Sequence, residues 1–419
     1  MVREYKDSGI TWIGRIPKDW NTTKLGSLYT QRNEKVSDKD YAPLSVTMQG
    51  ILPQLETAAK TDDGDNRKLV KKGDFAINSR SDRRGSCGIS PYDGSVSLIN
   101  TILKPRGEMN PNFYNWLFHT SPFADEFYKW GHGIVDDLWT TRWQEMKNIS
   151  VVIPSLEEQQ HIADYLDKKC AEIDGLIELQ EQMIAQLTDY KQSVITEAVT
   201  KGLNPNVEFV PSGVDWIGDV PKGWRIAQTR RIVRNHLQGY YDADGYVTSG
   251  YRLLRITDLL SNGNLSLENA PFVKETPNIK DFILQPGDFC FARTGGAGNF
   301  GFVSGDIEPA VFASYLIRFR FSGQNNNYLR YYFLSYSFIS EVNSLIHGGV
   351  NKNIHAENIK DTHLPLPPLS EQKSIADYLD KECKEIDDLI AIKQQKIETL
   401  KEYKKSVIFE AVTGKIEIS

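Results

Sequence analysis

The stretch PSLEEQQHIADYLDKKCAEIDGLIELQEQMIAQLTDYKQSVITEAVT, residues 154–200, occurs a second time at residues 367–413. The two copies are identical at 29 of 47 positions at a constant offset of 213. Both are rich in Glu, Lys, Gln, Leu, Ile and Ala, and both start at a proline, Pro154 or Pro367. This pattern predicts a long helix in each copy.

Apolar residues in each copy alternate by three and four, as in the seam of a coiled coil, with interruptions at Gln180 and Lys191 in the first copy and at Lys393 and Lys404 in the second. The seam consists of Leu166, Cys170, Ile173, Ile177, Ile184, Leu187, Val194 and Ala198 in the first copy, and of Leu379, Cys383, Ile386, Ile390, Ile397, Leu400, Val407 and Ala411 in the second. Each copy offers the other a partner at high effective concentration. Because duplicated halves suggest a pseudo-twofold axis, we expect an antiparallel coiled coil. The alternative is that each helix packs only on its own domain.

The regions before the two helices are also related, but only distantly. SGITWIGRIPKDW (8–20) returns as SGVDWIGDVPKGW (212–224), Gly-Asp-Phe occurs at 73–75 and 287–289, and His-Gly occurs at 132–133 and 347–348. The chain of 419 residues is therefore a tandem duplication, long enough for two or more domains. We divide it into a first body at 1–153, a central helix at 154–202, a second body at 203–366 and a C-terminal helix at 367–419.

The bodies are predicted to be α+β. Strands are indicated by β-branched and aromatic residues at 73–77, 95–103, 287–293, 301–304 and 310–321, with Gly, Asn, Asp and Ser at the breaks. Apolar residues three and four apart at 112–130 and 327–347 predict helix near the end of each body.

Composition restricts the class of protein. The net charge is −6, and residues 154–202 alone hold 4 basic and 10 acidic residues. Both bodies are close to neutral, with 21 basic and 19 acidic residues at 1–153 and 15 of each at 203–365. The four cysteines are widely spaced, which excludes a CxxC zinc pattern and favours reduced thiols. No apolar run reaches the ~18 residues that span a bilayer, and the start of the chain lacks an apolar signal region. We expect a cytoplasmic protein.

Arginine forks can bind guanine edges and phosphates, so arginines in the bodies are candidate DNA contacts. The candidate DNA-binding residues are Lys71, Lys72, Arg80, Arg83, Arg84, Arg230, Arg231, Arg234, Arg293 and Asn299. The alternative for any one of them is an ordinary solvated surface charge.

Other motifs are interpreted as structural. Gly296, Gly298 and Gly301 match G-x-G-x-x-G, but the following residues continue as strand and turn, so we interpret the glycines as a tight turn. The repeated tryptophans, Trp12 and Trp20 with Trp216 and Trp224, are interpreted as core anchors. His132 and His347 are interpreted as turn residues, because no nucleophile or metal set accompanies them.

The repeated P-x-L-x-E-Q-x-x-I-A-x-Y-L-D start of each helix, after a body that opens near W-I-G-x-x-P-x-x-W, resembles the specificity subunit of type I restriction-modification enzymes. The carriers are Pro154, Leu156, Glu158, Gln159, Ile162, Ala163, Tyr165, Leu166 and Asp167, with Pro367, Leu369, Glu371, Gln372, Ile375, Ala376, Tyr378, Leu379 and Asp380. The resemblance covers essentially the whole chain.

The resemblance implies two tandem target recognition domains, each reading one half of a split site in double-stranded DNA. It implies that the helices space these domains and bind two methyltransferase subunits, which carry S-adenosylmethionine and methylate adenine. Restriction subunits that use ATP and Mg can join them, and no metal or catalytic residue is expected in this chain. The alternatives are a self-sufficient enzyme, disfavoured by the missing catalytic motifs, and a coiled-coil scaffold, disfavoured by the arginine-bearing loops.

Overall fold

The computed structural model describes residues 3–54, 64–80, 83–133, 139–241, 245–294, 298–345 and 353–418. Gly296, His347 and Gly348 lie outside the described residues. The chain forms two compact units. Unit 1 comprises residues 1–181 and 395–419, and unit 2 comprises residues 182–394.

The first body contains a series of short strands followed by short helices. In chain order they are β1 (Tyr5–Asp7), β2 (Arg15–Pro17), β3 (Asn21–Lys24), α1 (Leu25–Leu28), β4 (Tyr29–Arg32), β5 (Lys35–Val36), β6 (Leu44–Thr47), β7 (Gly50–Pro53), β8 (Arg67–Val70), β9 (Phe75–Asn78), β10 (Cys87–Ile89), β11 (Gly94–Val96), β12 (Asn100–Pro105), α2 (Pro111–Phe118), α3 (Ser121–Lys129), α4 (Trp143–Met146) and β13 (Ser150–Ile153). The first long helix, α5 (Leu156–Lys201), follows.

The second body has a similar order of elements. They are β14 (Phe209–Pro211), β15 (Asp219–Pro221), β16 (Arg225–Gln228), β17 (Val233–Gln238), β18 (Tyr251–Leu254), β19 (Phe272–Val273), β20 (Phe289–Ala292), β21 (Phe300–Phe302), β22 (Ala310–Phe312), β23 (Leu316–Phe321), α6 (Asn326–Leu334), α7 (Tyr336–Leu345), α8 (Ala356–Asp361) and β24 (His363–Leu366), with 3-10 helices at Thr229–Arg231, Ile256–Asp258 and Ile279–Phe282. The second long helix is α9 (Leu369–Val412).

Each body is built on the same four-stranded antiparallel sheet. Its order is β10-β9-β12-β4 in the first body and β21-β20-β23-β17 in the second. The three-stranded sheets differ, since β18 and β22 are parallel whereas β11, β8 and β5 are all antiparallel. The predicted α+β fold is confirmed, with a common sheet and divergent additions.

The helical region near the end of each body is two helices rather than one. Thr120 and Ser335 interrupt it, because each hydroxyl accepts a hydrogen bond from the N–H three residues on, at Phe123 and Phe338. A side chain that caps the following helix in this way starts a new helix. Periodicity alone does not reveal that break.

The Gly-Asp-Phe motif forms the same turn in both bodies. Gly73 and Gly287 have φ of 87° and 91°, a left-handed conformation that favours glycine. The buried carboxylate of Asp288 accepts from the Gln285 N–H at 2.9 Å and from the Arg320 guanidinium at 3.0 Å. Asp74 accepts similarly from the Lys71 N–H and from Arg32, on a different strand. The motif is therefore structural.

The Glu-Gln pair at the start of each long helix fastens that helix to its body. The Trp20 indole N–H donates to Glu158 at 2.7 Å, and Trp224 donates to Glu371 at 3.1 Å. The side chain of Gln372 accepts from the Asn325 N–H at 2.9 Å and donates to the Pro367 carbonyl at 2.9 Å.

Gln159 makes the equivalent bonds in unit 1, to Asn110 at 2.9 Å and to Pro154 at 3.0 Å. The interpretation of the tryptophans as core anchors fits buried Trp20 and the partly buried Trp12 and Trp224. It is wrong for Trp216, which is 45% exposed.

Both long helices are shared between the units, and within each unit they run in opposite directions. In unit 1, Asp174 contacts Lys404 at 2.7 Å, while Glu158 and Gly414 both adjoin Trp20. In unit 2, Lys191 contacts Asp387 at 2.7 Å, while Glu371 and Gly202 both adjoin Trp224. Residue numbers rise along one helix as they fall along the other, so these parts are antiparallel.

The predicted seam is buried or half-buried throughout. Its fully buried members include Leu166, Ile173, Leu379, Ile386, Ile397 and Val407, and its half-buried members are Ile177, Ile184, Leu187, Val194, Ile390 and Leu400. The alternative that each helix packs only on its own body is wrong. Val407, Ala411 and Val412, at the end of the second helix, belong to the core of the first body.

Replacing Gln372 with leucine should destabilise unit 2. The change leaves the Asn325 N–H and the Pro367 carbonyl without this partner, at ~1–3 kcal/mol for each unpaired buried group. We expect a lower thermal unfolding midpoint, measured by circular dichroism, and Gln159→Leu should do the same through unit 1. Lys373→Leu, at the exposed neighbouring position, is the control. Equal midpoints for Gln372→Leu and Lys373→Leu would contradict the assignment.

Candidate DNA-binding interface

In each unit, three segments meet at one end of the four-stranded sheet. The first is the polar loop that follows the Gly-Asp-Phe strand, which starts at Ser79 in unit 1 and at Arg293 in unit 2. The second segment contains Thr141 in unit 1 and Ile354 in unit 2, whose N–H groups donate to the carbonyls of Ser79 (3.0 Å) and Arg293 (2.7 Å). The third is the residue before the third strand of the sheet, Ile99 or Tyr315, whose carbonyl accepts from the N–H of Ser79 (3.3 Å) or Arg293 (2.9 Å).

The first body presents its arginines on this loop. Arg80, Arg83 and Arg84 are exposed. Arg84 forms an ion pair with Asp125 and lies over the Tyr128 ring, with 5.4 Å from its guanidinium carbon to the ring centroid. Arg80 joins the loop to the segment around Thr140 through a β-bridge. The structure thus brings these three candidates together on one exposed, hydrogen-bonded loop.

The second body places Arg293 and Asn299 at the equivalent loop. Arg293 is half-buried, and Asn299 is exposed, with its carbonyl accepting from the Ala292 N–H at 2.8 Å. The hydrogen bonds align Arg293 with Ser79, so the arginines of the two bodies do not occupy equivalent positions. The two loops share a backbone frame and differ in the side chains they display.

The other candidates lie at the opposite end of each sheet. Lys71 and Lys72 precede the Gly-Asp-Phe turn, whereas Arg80 follows the strand that this turn opens. Arg234, on β17, lies near the end where Val233 pairs with Phe321, far along β23 from Tyr315. Arg230 and Arg231 form a 3-10 turn beside it, and Arg230 contacts Asp361. The structure therefore separates the predicted contacts into two groups.

Ile99 and Tyr315 are residues at the loop end that sequence reasoning missed. Both fall in runs that are typical of buried strands, and the sequence carries no signal that either side chain faces outward. Only the strand register shows that each lies just before the buried part of its strand.

The cysteine thiols are buried and protonated in this fold. All four cysteines are free and buried, and burial raises the pKa of the Cys87 thiol to about 12 and that of Cys383 to about 11. His132 forms an isolated antiparallel β-bridge with Thr140, so its backbone has a structural role but is not the predicted turn. Among the described residues no cluster of His, Cys, Asp and Glu could hold a metal ion.

The glycine-rich loop of the second body leads into a strand. Residues Phe300–Phe302 form β21, so no helix opens on the loop as a dinucleotide site would require. Within the part of the chain that the structure describes, no helix is both long and apolar enough to cross a membrane.

Comparison with family profiles identifies the class of protein to which this duplicated chain belongs. The profile described as the type I restriction modification DNA specificity domain matches residues 17–189 and again residues 250–402. The chain therefore belongs to this family. It is a type I specificity subunit with two recognition domains.

Individual relatives agree with this assignment along the chain. The type I restriction enzyme MjaVIII specificity subunit of Methanocaldococcus jannaschii is 26% identical over 96% of this chain and 94% of its own length. The StySPI specificity subunit of Salmonella potsdam is 23% identical over 86% of this chain and 81% of its own length.

Solved structures share the fold. A chain from a study of complex assembly and conformational transition in the type I R-M system has a TM-score of 0.73 at 14% identity and covers 96% of this chain and 99% of its own. The HsdS subunit from Thermoanaerobacter tengcongensis has a TM-score of 0.53 at 16% identity, covering 96% and 98%.

Proposed function

We propose that this chain selects the DNA sequence for a type I restriction-modification complex and performs no chemistry itself. Each body reads one half of a bipartite site in double-stranded DNA. The helices set the distance between the half-sites and bind two methyltransferase subunits that methylate adenine, and cleavage follows when restriction subunits join. S-adenosylmethionine belongs to the methyltransferase, and ATP and Mg belong to the restriction subunit.

One observation carries this proposal: two bodies share a sheet and differ at its loop end. The Gly-Asp-Phe turn and the hydrogen bonds at Ser79 and Arg293 recur in both units, whereas the side chains on the loops do not. A constant frame with variable loops is the arrangement expected of a binding module whose target changes. Because the loops differ, the two half-sites should differ in sequence.

The surfaces of the long helices support the docking of two identical partners. In unit 1, Leu176 and Leu179 are exposed, and in unit 2 the repeat-equivalent Leu389 and Ile392 are 46% and 58% exposed. Residues three apart lie on one face of a helix, so each pair forms an apolar patch apart from the seam. Two equal patches predict two copies of one partner.

The purified chain should neither methylate nor cut DNA, and adenine methylation should appear only with the cognate methyltransferase, bound in two copies. Methyl transfer is measured with labelled S-adenosylmethionine, and the number of bound subunits by native mass spectrometry. The variant Leu389→Glu/Ile392→Glu should retain one methyltransferase, because charge opposes burial of its patch. Glu385→Gln, exposed on the same helix, is the control. Methylation by the lone chain would falsify the proposal.

Replacing Arg293 with alanine should weaken DNA binding and reduce selectivity in the half-site of the second body. A bidentate arginine contact typically discriminates against a wrong base by ~1–3 kcal/mol. Affinity is measured by fluorescence anisotropy against sites altered in either half. Arg234→Ala, at the other end of the sheet, should leave selectivity intact. Loss of selectivity in Arg234→Ala but not in Arg293→Ala would assign DNA binding to the end of the sheet that carries Arg234.

Lengthening both helices by one heptad should lengthen the unspecified spacer. Duplicating residues 175–181 in the first helix and 388–394 in the second adds ~10.5 Å and keeps each face in phase, since seven residues are nearly two turns. At ~3.4 Å per base pair, the spacer should grow by about three base pairs with both half-sequences unchanged.

Sequencing the methylated sites of this variant measures the spacer. A heptad in only one helix should abolish assembly, because it shifts the pairing of Asp174 with Lys404 and of Lys191 with Asp387. An unchanged spacer in an active double-heptad complex would show that the helices do not set the distance.

A further inference from the structure

Ile99 and Tyr315 occupy one equivalent position in the two bodies. Leu103 pairs with Phe75 of the first Gly-Asp-Phe motif, and Phe319 pairs with Phe289 of the second. Counting back four residues along each strand reaches Ile99 and Tyr315. Both carbonyls accept the hydrogen bond from the first residue of the arginine-bearing loop.

The backbone at this position is fixed while the side chain is left in solvent. Tyr315 is 61% exposed although the next residue, Leu316, is fully buried. Ile99 is 37% exposed, as is its neighbour Leu98, and the following Asn100 is buried. Leaving large apolar surface in water beside a polar loop loses the free energy of burial, ~25 cal/mol per Å². Exposure at the same place in both bodies points to a surface that is covered in a complex.

Under the proposed function, the partner that covers this surface is the DNA bound by the adjacent loops. Isoleucine has no polar side-chain atom, so it can read a base only by apolar contact, and thymine is the base that offers a methyl group in the major groove. Tyrosine combines a ring for apolar contact with a hydroxyl that can hydrogen-bond a base edge or a phosphate.

We propose that Ile99 and Tyr315 are specificity-determining residues, one for each half-site. Ile99 packs on a thymine methyl group in the half-site of the first body. Tyr315 makes a ring contact and a hydroxyl hydrogen bond in the half-site of the second. This inference rests on the proposed function and assigns the position that lets each body read a different base.

The test uses the complete complex with its methyltransferase and the wild-type bipartite site. Each thymine is replaced in turn by uracil, which removes only the methyl group. Wild-type binding should weaken about five- to tenfold at one position of the first half-site, and Ile99→Ala should bind the two DNAs equally. Binding that no uracil substitution changes would overturn the assignment of Ile99.

For the second half-site, Tyr315→Phe tests the hydroxyl and Tyr315→Ala the ring. Both should relax the preference at one or two adjacent base pairs and leave the first half-site unchanged, as measured by selection from randomised sites. The controls are Tyr92→Ala, at the opposite end of the first body's sheet, and Tyr336→Ala, at the start of α7. Both residues are comparably exposed.

The outcomes separate this inference from the function on which it rests. If the wild-type complex recognises no bipartite site, the proposed function fails. If the wild-type complex is selective and the Tyr315 variants weaken binding to every sequence equally, the residue grips only the backbone and the inference fails. Loss of methyltransferase binding in either variant would assign the position to a protein contact and would also overturn it.

Discussion

The core of each body is completed by the end of a helix that belongs to the other repeat. In unit 1 the end of the second helix contributes Val407, Ala411 and Val412 to a cluster that includes Ile162 and Leu166. In unit 2 the end of the first helix contributes Ile195, Ala198 and Val199. Burying such side chains stabilises a fold by ~1.5–3 kcal/mol for each large one, so neither body has a complete core without both helices.

This exchange of helix ends explains why the helices vary less than the bodies. A substitution at Val407 changes the packing of the first body, although the residue lies in the second repeat. The same segments carry the Glu-Gln pair that fastens each helix to a tryptophan and to the start of a shorter helix. The described residues of the loops at the other end of the sheet make none of these contacts, so these loops can differ between the bodies without loss of the helix attachment.

Charge is also distributed unevenly between the long helices and the bodies. Acidic residues predominate on the first helix. In unit 1 its Asp174 forms an ion pair with Lys404 of the second helix, and in unit 2 its Lys191 forms an ion pair with Asp387 of the second helix. The pairs are partly exposed, so each contributes at most ~1 kcal/mol, and their main effect is to favour one register over its neighbours. The bodies are close to neutral, with 21 basic and 19 acidic residues at 1–153 and 15 of each at 203–365.

The sequence by itself determined the duplication, the two long helices, the residues of their seam and most strands of the common sheet. These features depend on composition and on the spacing of apolar residues at intervals of two, three and four, which can be recognised from residues close together in the chain. It did not show the two-helix break at Thr120 and Ser335, because a capping hydroxyl looks the same as any other serine or threonine. It also did not show that Trp216 is exposed.

Only the tertiary structure decided which candidate contacts belong together. Arg80, Arg83 and Arg84 share an end of the sheet with Thr140, which is distant in the chain, whereas Lys71 and Lys72 lie at the other end of β9. The strand register within each body also shows that Ile99 and Tyr315 occupy equivalent positions, although the sequences of the two bodies barely match. Such relations join residues far apart in the chain, and hydrogen bonds between strands set them rather than any local pattern.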